Sequence, residues 1–139
     1  MVDRVLVPMD GSEMSLRALE YALDVHAGAD ITVLFVAGEP SPMMGRALQL
    51  ALETDVQQAA EELAEEVFER AHDRAAGQGV EIDTEVALGN PARQIVDRAA
   101  DFDAIVIGSH GGTLRETLFM GNVARTVSSR APVPVTIVR

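Results

Sequence analysis

Apolar positions along this chain switch repeatedly between a short continuous run and a helical spacing, and the switching predicts alternating strands and helices. Val5-Leu6-Val7 is the first such run and ends at Pro8. Leu16, Leu19, Leu23 and Ala27 then recur at intervals of three and four, the stripe of a helix with one buried face. Ile31 to Val36, after Gly28-Ala29-Asp30, reads as a fully buried second strand. Gly38-Glu39-Pro40-Ser41-Pro42-Met43-Met44-Gly45 is a loop by its breakers. A long helix starts near Arg46 and covers Thr54 to Ala76, with Val56, Ala60, Leu63, Val67 and Ala71 as its apolar stripe. Gly77-Gln78-Gly79 stops it.

In the second half, Val80, Ile82, Thr84, Val86 and Leu88 alternate with polar residues, the pattern of an edge strand with one buried side. Gly89-Asn90-Pro91 caps a helix from Ala92 to about Ala100, with proline in its first turn. Asp103-Ala104-Ile105-Val106-Ile107 contains the most apolar strand. A helix from Val123 to Arg130 and a last strand from Val133 to Val138 complete the chain. The order predicts an α/β fold with an open parallel sheet, as one domain over residues 1–139. No repeat or linker interrupts it.

Composition narrows the partners. The chain has 22 acidic and 11 basic residues, a net charge of −11, and no cysteine. All the basic residues are arginines. Such a balance disfavours sequence-independent nucleic-acid binding, which needs a basic face. It fits a halophile's cytosol at very high salt, where screening weakens self-repulsion; an acidic protein of ordinary salt is the alternative. No uninterrupted apolar stretch is long enough to span a membrane, and Met1-Val2-Asp3-Arg4-Val5 lacks a signal-peptide layout, so the expected location is cytoplasmic. The acidic run Glu61, Glu62, Glu65, Glu66 and Glu69 lies mostly off the helix stripe and reads as a solvated face.

Candidate chemistry gathers in two loops that follow strands. One is Pro8-Met9-Asp10-Gly11-Ser12; the other is Gly108-Ser109-His110-Gly111, followed by Gly121-Asn122. Glycines in a strand-to-helix connection let backbone amides converge where a helix N-terminus already favours an anion. In open α/β sheets ligands sit beyond the strands' carboxyl ends, at the point where the winding reverses. If the first and fourth strands are neighbours, the two loops face each other across one crevice. Asp10 then suits sugar hydroxyls or a base, and the glycine loop suits phosphates; a plain capped turn is the alternative for Asp10-Gly11-Ser12. Arg115, inside the loop, is the better placed of Arg115 and Arg125 to meet a phosphate, and His110 either donates to a phosphate or orients the turn. The Gly-Lys-Ser/Thr ending of a Walker loop is absent, and no histidine pair has metal-ligand spacing.

Taken together, Val7-Pro8-Met9-Asp10-Gly11-Ser12, Gly89-Asn90-Pro91, Gly108-x2-Gly111-x9-Gly121-Asn122 and the closing Pro132 to Val138 resemble the universal stress protein family along the whole chain. The resemblance implies a five-stranded Rossmann-like sheet of order 3-2-1-4-5 with helices on both faces. It also implies a homodimer through the last strand, Val133 to Val138. In ATP-binding members, residues matching Pro8, Asp10 and Val36 hold the adenosine, those matching Ile107, Gly108 and Gly111 line the crevice, and those matching Gly121, Asn122 and Val123 meet the phosphates, with Mg2+ accompanying a triphosphate. This chain departs from that pattern at two positions. Asn122 stands where the pattern has Ser or Thr; its amide can still cap the helix and donate to a phosphate. Ala124 stands where some members carry a hydroxyl that reaches the terminal phosphate, which weakens discrimination of ATP from ADP or AMP. The implied function is an adenine-nucleotide-binding regulator of the stress response, with at most a slow ATPase. The alternative is an interaction module of the same fold that binds no nucleotide.

Overall fold

A computed structural model describes residues 2–37, 46–110 and 121–139, with the side chains of 46–57 outside the description. Five strands, β1 (Arg4–Pro8), β2 (Asp30–Ala37), β3 (Asp83–Leu88), β4 (Ala104–Gly108) and β5 (Val135–Val138), pair in parallel in the order β3-β2-β1-β4-β5. The helices are α1 (Glu13–Val25), α2 (Arg46–Ala76), α3 (Pro91–Ala99) and α4 (Asn122–Arg130).

Residue parity along the central strands decides which helix lies on which face. Val5, Val7, Ile31, Val33 and Val106 point to one side and pack with Leu16, Leu19, Leu23, Val67, Ala71 and Ala75 of α1 and α2. Leu6, Leu34, Ile105 and Ile107 point to the other and pack with Ala92, Ile95, Ala99, Ala124 and Val127 of α3 and α4. Both faces of β1 and β4 are thus covered, which is why those strands read as unbroken apolar runs.

The structure corrects several details of the pattern. In α2 the buried positions are Ala60, Ala64, Val67, Ala71 and Ala75, while Leu63 is 59% exposed. An intact 3.6-residue phase outranks the greater hydrophobicity of a single leucine. Val56 belongs to the side chains outside the description. Helix α1 ends at Val25, where the His26 N–H donates to Ala22 O, so Ala27 lies past the helix and is exposed. Ala18 and Ala22 fill the face instead. In β2 only Ile31–Leu34 are buried; Phe35, Val36 and Ala37 are half-buried. β3 is an edge strand but begins at Asp83 and is not one-sided. Ile82, just before it, packs toward α2, Ala87 packs toward α3, and Leu88 is exposed. β5, the other edge, is limited to Val135–Val138, all half-buried. The breaker-rich segment 38–45 lies outside the described residues.

At the amino-terminal end of the sheet, β1 and β4 are stitched together by Asp103. Its carboxylate accepts from the backbone amides of Asp3 and Arg4, each at 3.0 Å, while its own N–H donates to Arg4 O at 2.8 Å. Arg4 in turn donates to Asp101 O at 2.7 Å and lies 4.9 Å over the Phe102 ring. The Asp3 amide first, then that of Arg4, holds the Asp103 carboxyl below the ordinary carboxylate value.

A carboxyl with a depressed native pKa stabilises the fold above its unfolded value and ceases to do so as pH falls through the native one. Asp103→Ala should therefore unfold at lower denaturant than the parent at neutral pH. The gap between the two should close on acidification from about pH 5 to about pH 2, measured by urea unfolding across that window.

Candidate functional site

β1 and β4 are neighbours, with Val5 beside Ala104 and Leu6 beside Ile105. The helix after β1 covers one face of the sheet and the helix after β4 covers the other. Their departing loops diverge and leave a cavity of about 380 Å3 at the carboxyl ends of these strands. That volume lies within the roughly 300–1,000 Å3 of small-ligand sites.

The β1 wall consists of Pro8, Met9 and Asp10. Met9 N–H donates to Leu34 O at 2.9 Å, carrying the ladder one residue past the strand, so Asp10 stands exposed at the rim. Asp10 Oδ1 accepts from the Ser12 amide at 2.9 Å, and Ser12 Oγ caps α1 by accepting from the Ser15 amide at 3.2 Å. Asp10 belongs both to the capped turn and to the cavity wall, whereas Gly11 and the cap Ser12 do not line the cavity.

From β4 the wall receives Ile107, Gly108, Ser109 and His110. A Cβ on Gly108 would stand 2.8 Å from Met14 Cγ and 3.0 Å from Met14 O, so this glycine is demanded by the close seating of α1 on β4. Its presence in the motif is therefore a packing requirement as well as a feature of the crevice. Ser109 N–H donates to Val138 O at 2.8 Å, and its carbonyl accepts from the Gly121 amide at 2.6 Å, returning the chain to the end of β4. Ser109 Oγ lies 3.0 Å from His110 Nδ1.

Gly121 is the N-cap of α4 and offers no side-chain hydrogen bond to it. Asn122 is the first helical residue, so the expected cap by its amide does not form. α1 and α3 differ: Ser12 caps the first, and Asn90 Oδ1 accepts from the Arg93 amide at 3.0 Å in the second. Asn122, Val123 and Ala124 line the cavity, so a helical turn whose amides receive no side-chain cap from the described residues stands at its wall.

A sequence model described as the universal stress protein family matches residues 1–139. The chain belongs to the universal stress protein family. It is 31% identical over 140 residues to a universal stress protein of Methanocaldococcus jannaschii, covering 98% of this chain and 81% of that protein. Among solved structures, UspA from Lactobacillus plantarum superposes with a TM-score of 0.76 at 23% identity, over 99% of this chain and 98% of that one. A universal stress protein solved in complex with cAMP superposes with a TM-score of 0.66 at 26% identity, over 99% and 97%.

Of the candidate residues chosen from this family member's sequence, Pro8, Asp10, Val36, Ile107, Gly108, His110, Gly121, Asn122 and Val123 all line the one cavity. Gly111 and Arg115 lie outside the described residues. Arg125, the other arginine considered, is exposed on α4 and does not line it. Sequence reasoning passed over Leu34, Pro91 and Ile95, which form an apolar wall. Leu34 shares strand parity with Val36, and Ile95 follows Pro91 by one helical turn; that shared spacing is the signal that could have found them. Among the described residues no cluster of three metal-ligating side chains occurs, and no helix is long and apolar enough to cross a membrane.

Gly108→Ala should destabilise the fold by about 1–3 kcal/mol, because Met14's backbone cannot yield as a flexible side chain could. Chemical unfolding of the variant beside the parent checks it.

Proposed function

We propose that this chain is a cytoplasmic regulatory protein that binds an adenine nucleotide in the cavity between the β1 and β4 loops. The observation that carries the reading is the pairing of unlike walls in one space: an exposed carboxylate and an apolar strip on one hand, an uncapped helix N-terminus on the other. The apolar strip of Leu34, Val36 and Ile95 suits a flat base. Asp10 suits the sugar hydroxyls and would repel phosphates if placed beside them. The amides of α4's first turn, with Asn122 and Val123, suit the phosphates. The cAMP complex of the structural relative supports the same ligand class.

Mg2+ would accompany a triphosphate, held through phosphate oxygens and water. Asp10 is the one carboxylate among the described cavity-lining residues, and it serves the sugar end. Hydrolysis would accordingly be slow. Occupancy would act instead on shape or partner choice in a stress response. An interaction module without nucleotide is the competing reading, favoured by Asn122 and Ala124 at the positions where the nucleotide-binding pattern places hydroxyls.

Calorimetric titration with ATP, ADP and AMP in Mg2+ and molar salt decides between them. Binding is expected, with ATP and ADP within about tenfold of each other, or about 1.4 kcal/mol, because Ala124 has no hydroxyl for the terminal phosphate. Absence of heat with all three nucleotides favours the module.

We also propose that the chain forms a homodimer through its last strand, since β5 is a largely apolar strand that pairs on one side only among the described residues. Light scattering at micromolar concentration should give twice the chain mass; a monomeric mass refutes the pairing.

A further inference from the structure

We infer that Arg70 of α2 is a positioning residue for Asp10, fixing the turn that presents the carboxylate to the sugar of the bound nucleotide. The inference rests on the nucleotide reading above and extends it to a residue outside the cavity.

The Arg70 guanidinium Nη1 donates to Gly11 O at 2.7 Å, across 59 positions of sequence. Gly11 C=O and Ser12 N–H belong to one planar peptide unit and point in opposite directions. The Ser12 N–H is the group that donates to Asp10 Oδ1 at 2.9 Å. Arg70 therefore grips one end of a rigid plate whose other end grips the carboxylate, and turning that plate breaks both bonds together. Charge on the donor also polarises the peptide, strengthening the second bond in the chain. Asp10 Oδ2 is left for a ligand.

The plate needs such a grip because Gly11 is its weak point. Gly11 sits at φ +85°, a left-handed conformation that glycine leaves readily. Helix α2 braces it from a single face: Val67 Cγ2 would stand 3.3 Å from a Cβ at Gly11, and Arg70 lies one turn further on. Another turn along, Arg74 forms an ion pair with Glu20 of α1, so the same face of α2 also holds the helix that the turn begins. Ser12 anchors the far side of the turn through the α1 cap. Beside the turn's own Asp10, Arg70 is the side chain among the described residues that bonds to the peptide between Gly11 and Ser12.

The test compares ATP with 2′,3′-dideoxy-ATP, which lacks the sugar hydroxyls, on the intact chain by calorimetry. The parent should prefer ATP. Arg70→Met should weaken ATP by about three- to tenfold, as expected for loss of one charged hydrogen bond at an exposed site. It should leave the dideoxy nucleotide within about twofold, and Arg70→Lys, which keeps a cationic donor, should recover part of the loss. In an Asp10→Asn background, Arg70→Met should add little, because both act through one contact. Thermal unfolding of each variant confirms an unchanged fold. Equal weakening of both nucleotides by Arg70→Met, or of neither, overturns the positioning role while leaving nucleotide binding intact. A parent that binds neither nucleotide overturns the nucleotide reading itself, and the role of Arg70 with it.

Discussion

The parallel contact between β1 and β4 is the constraint from which the site follows. The chain winds outward from β1 through α1, β2, α2 and β3, then returns across the sheet to β4 and winds the other way. Because the two central strands run in the same direction, their carboxyl ends open together, and helices on opposite faces draw their loops apart. No side chain has to be removed to make the resulting cavity. It is a product of topology, lined by whatever the two loops and the flanking β2 and α3 happen to present.

Charge sharpens what those linings can do. The chain carries a net charge of −11 and no lysine, so the whole-molecule field opposes an anion. An anion in the cavity would depend on local fields that overcome it. Ser15, Pro91 and Asn122, from the first turns of α1, α3 and α4, all border the cavity. Each such turn presents the positive end of a helix dipole, effective at short range where a distant surface carboxylate is screened. An acidic protein can thus keep a local preference for an anion without any lysine.

The centre of the fold was legible in the sequence because burial on both faces leaves an unmistakable signature. Val5-Leu6-Val7 and Ile105-Val106-Ile107 could hardly be other than inner strands once glycine and proline breaks flanked them. The caps Ser12 and Asn90 were equally readable, since capping is a local bargain between a side chain and the next turn. What escaped was set by distant parts of the chain. Leu63 looked like core because it is a leucine; only the phase of the full helix turns it outward. Gly108 looked like part of a phosphate loop, and its packing role depends on Met14, 94 positions earlier, as the approach of Met14 to the space of its missing Cβ reveals. Arg70 gave no sign at all, for its partner is a backbone carbonyl, which carries no residue-type signature.

The two margins of the sheet are chemically unlike. β3 exposes Asp83 and Glu85 along its length, whereas β5 reads Val-Thr-Ile-Val. A β5 margin meeting a β3 margin would leave a second pair of margins free, and sheets could add without limit. Charge on β3, where Asp83 is exposed and Glu85 pairs with Arg98 at 3.3 Å, would disfavour that head-to-tail growth, as charged edge strands generally do. A β5 margin meeting its own copy leaves only two acidic ends pointing outward, and such an assembly has nowhere further to grow. If sheets associate by their edges, unequal margins of this kind would work as a chain terminator, stopping the assembly at a closed pair.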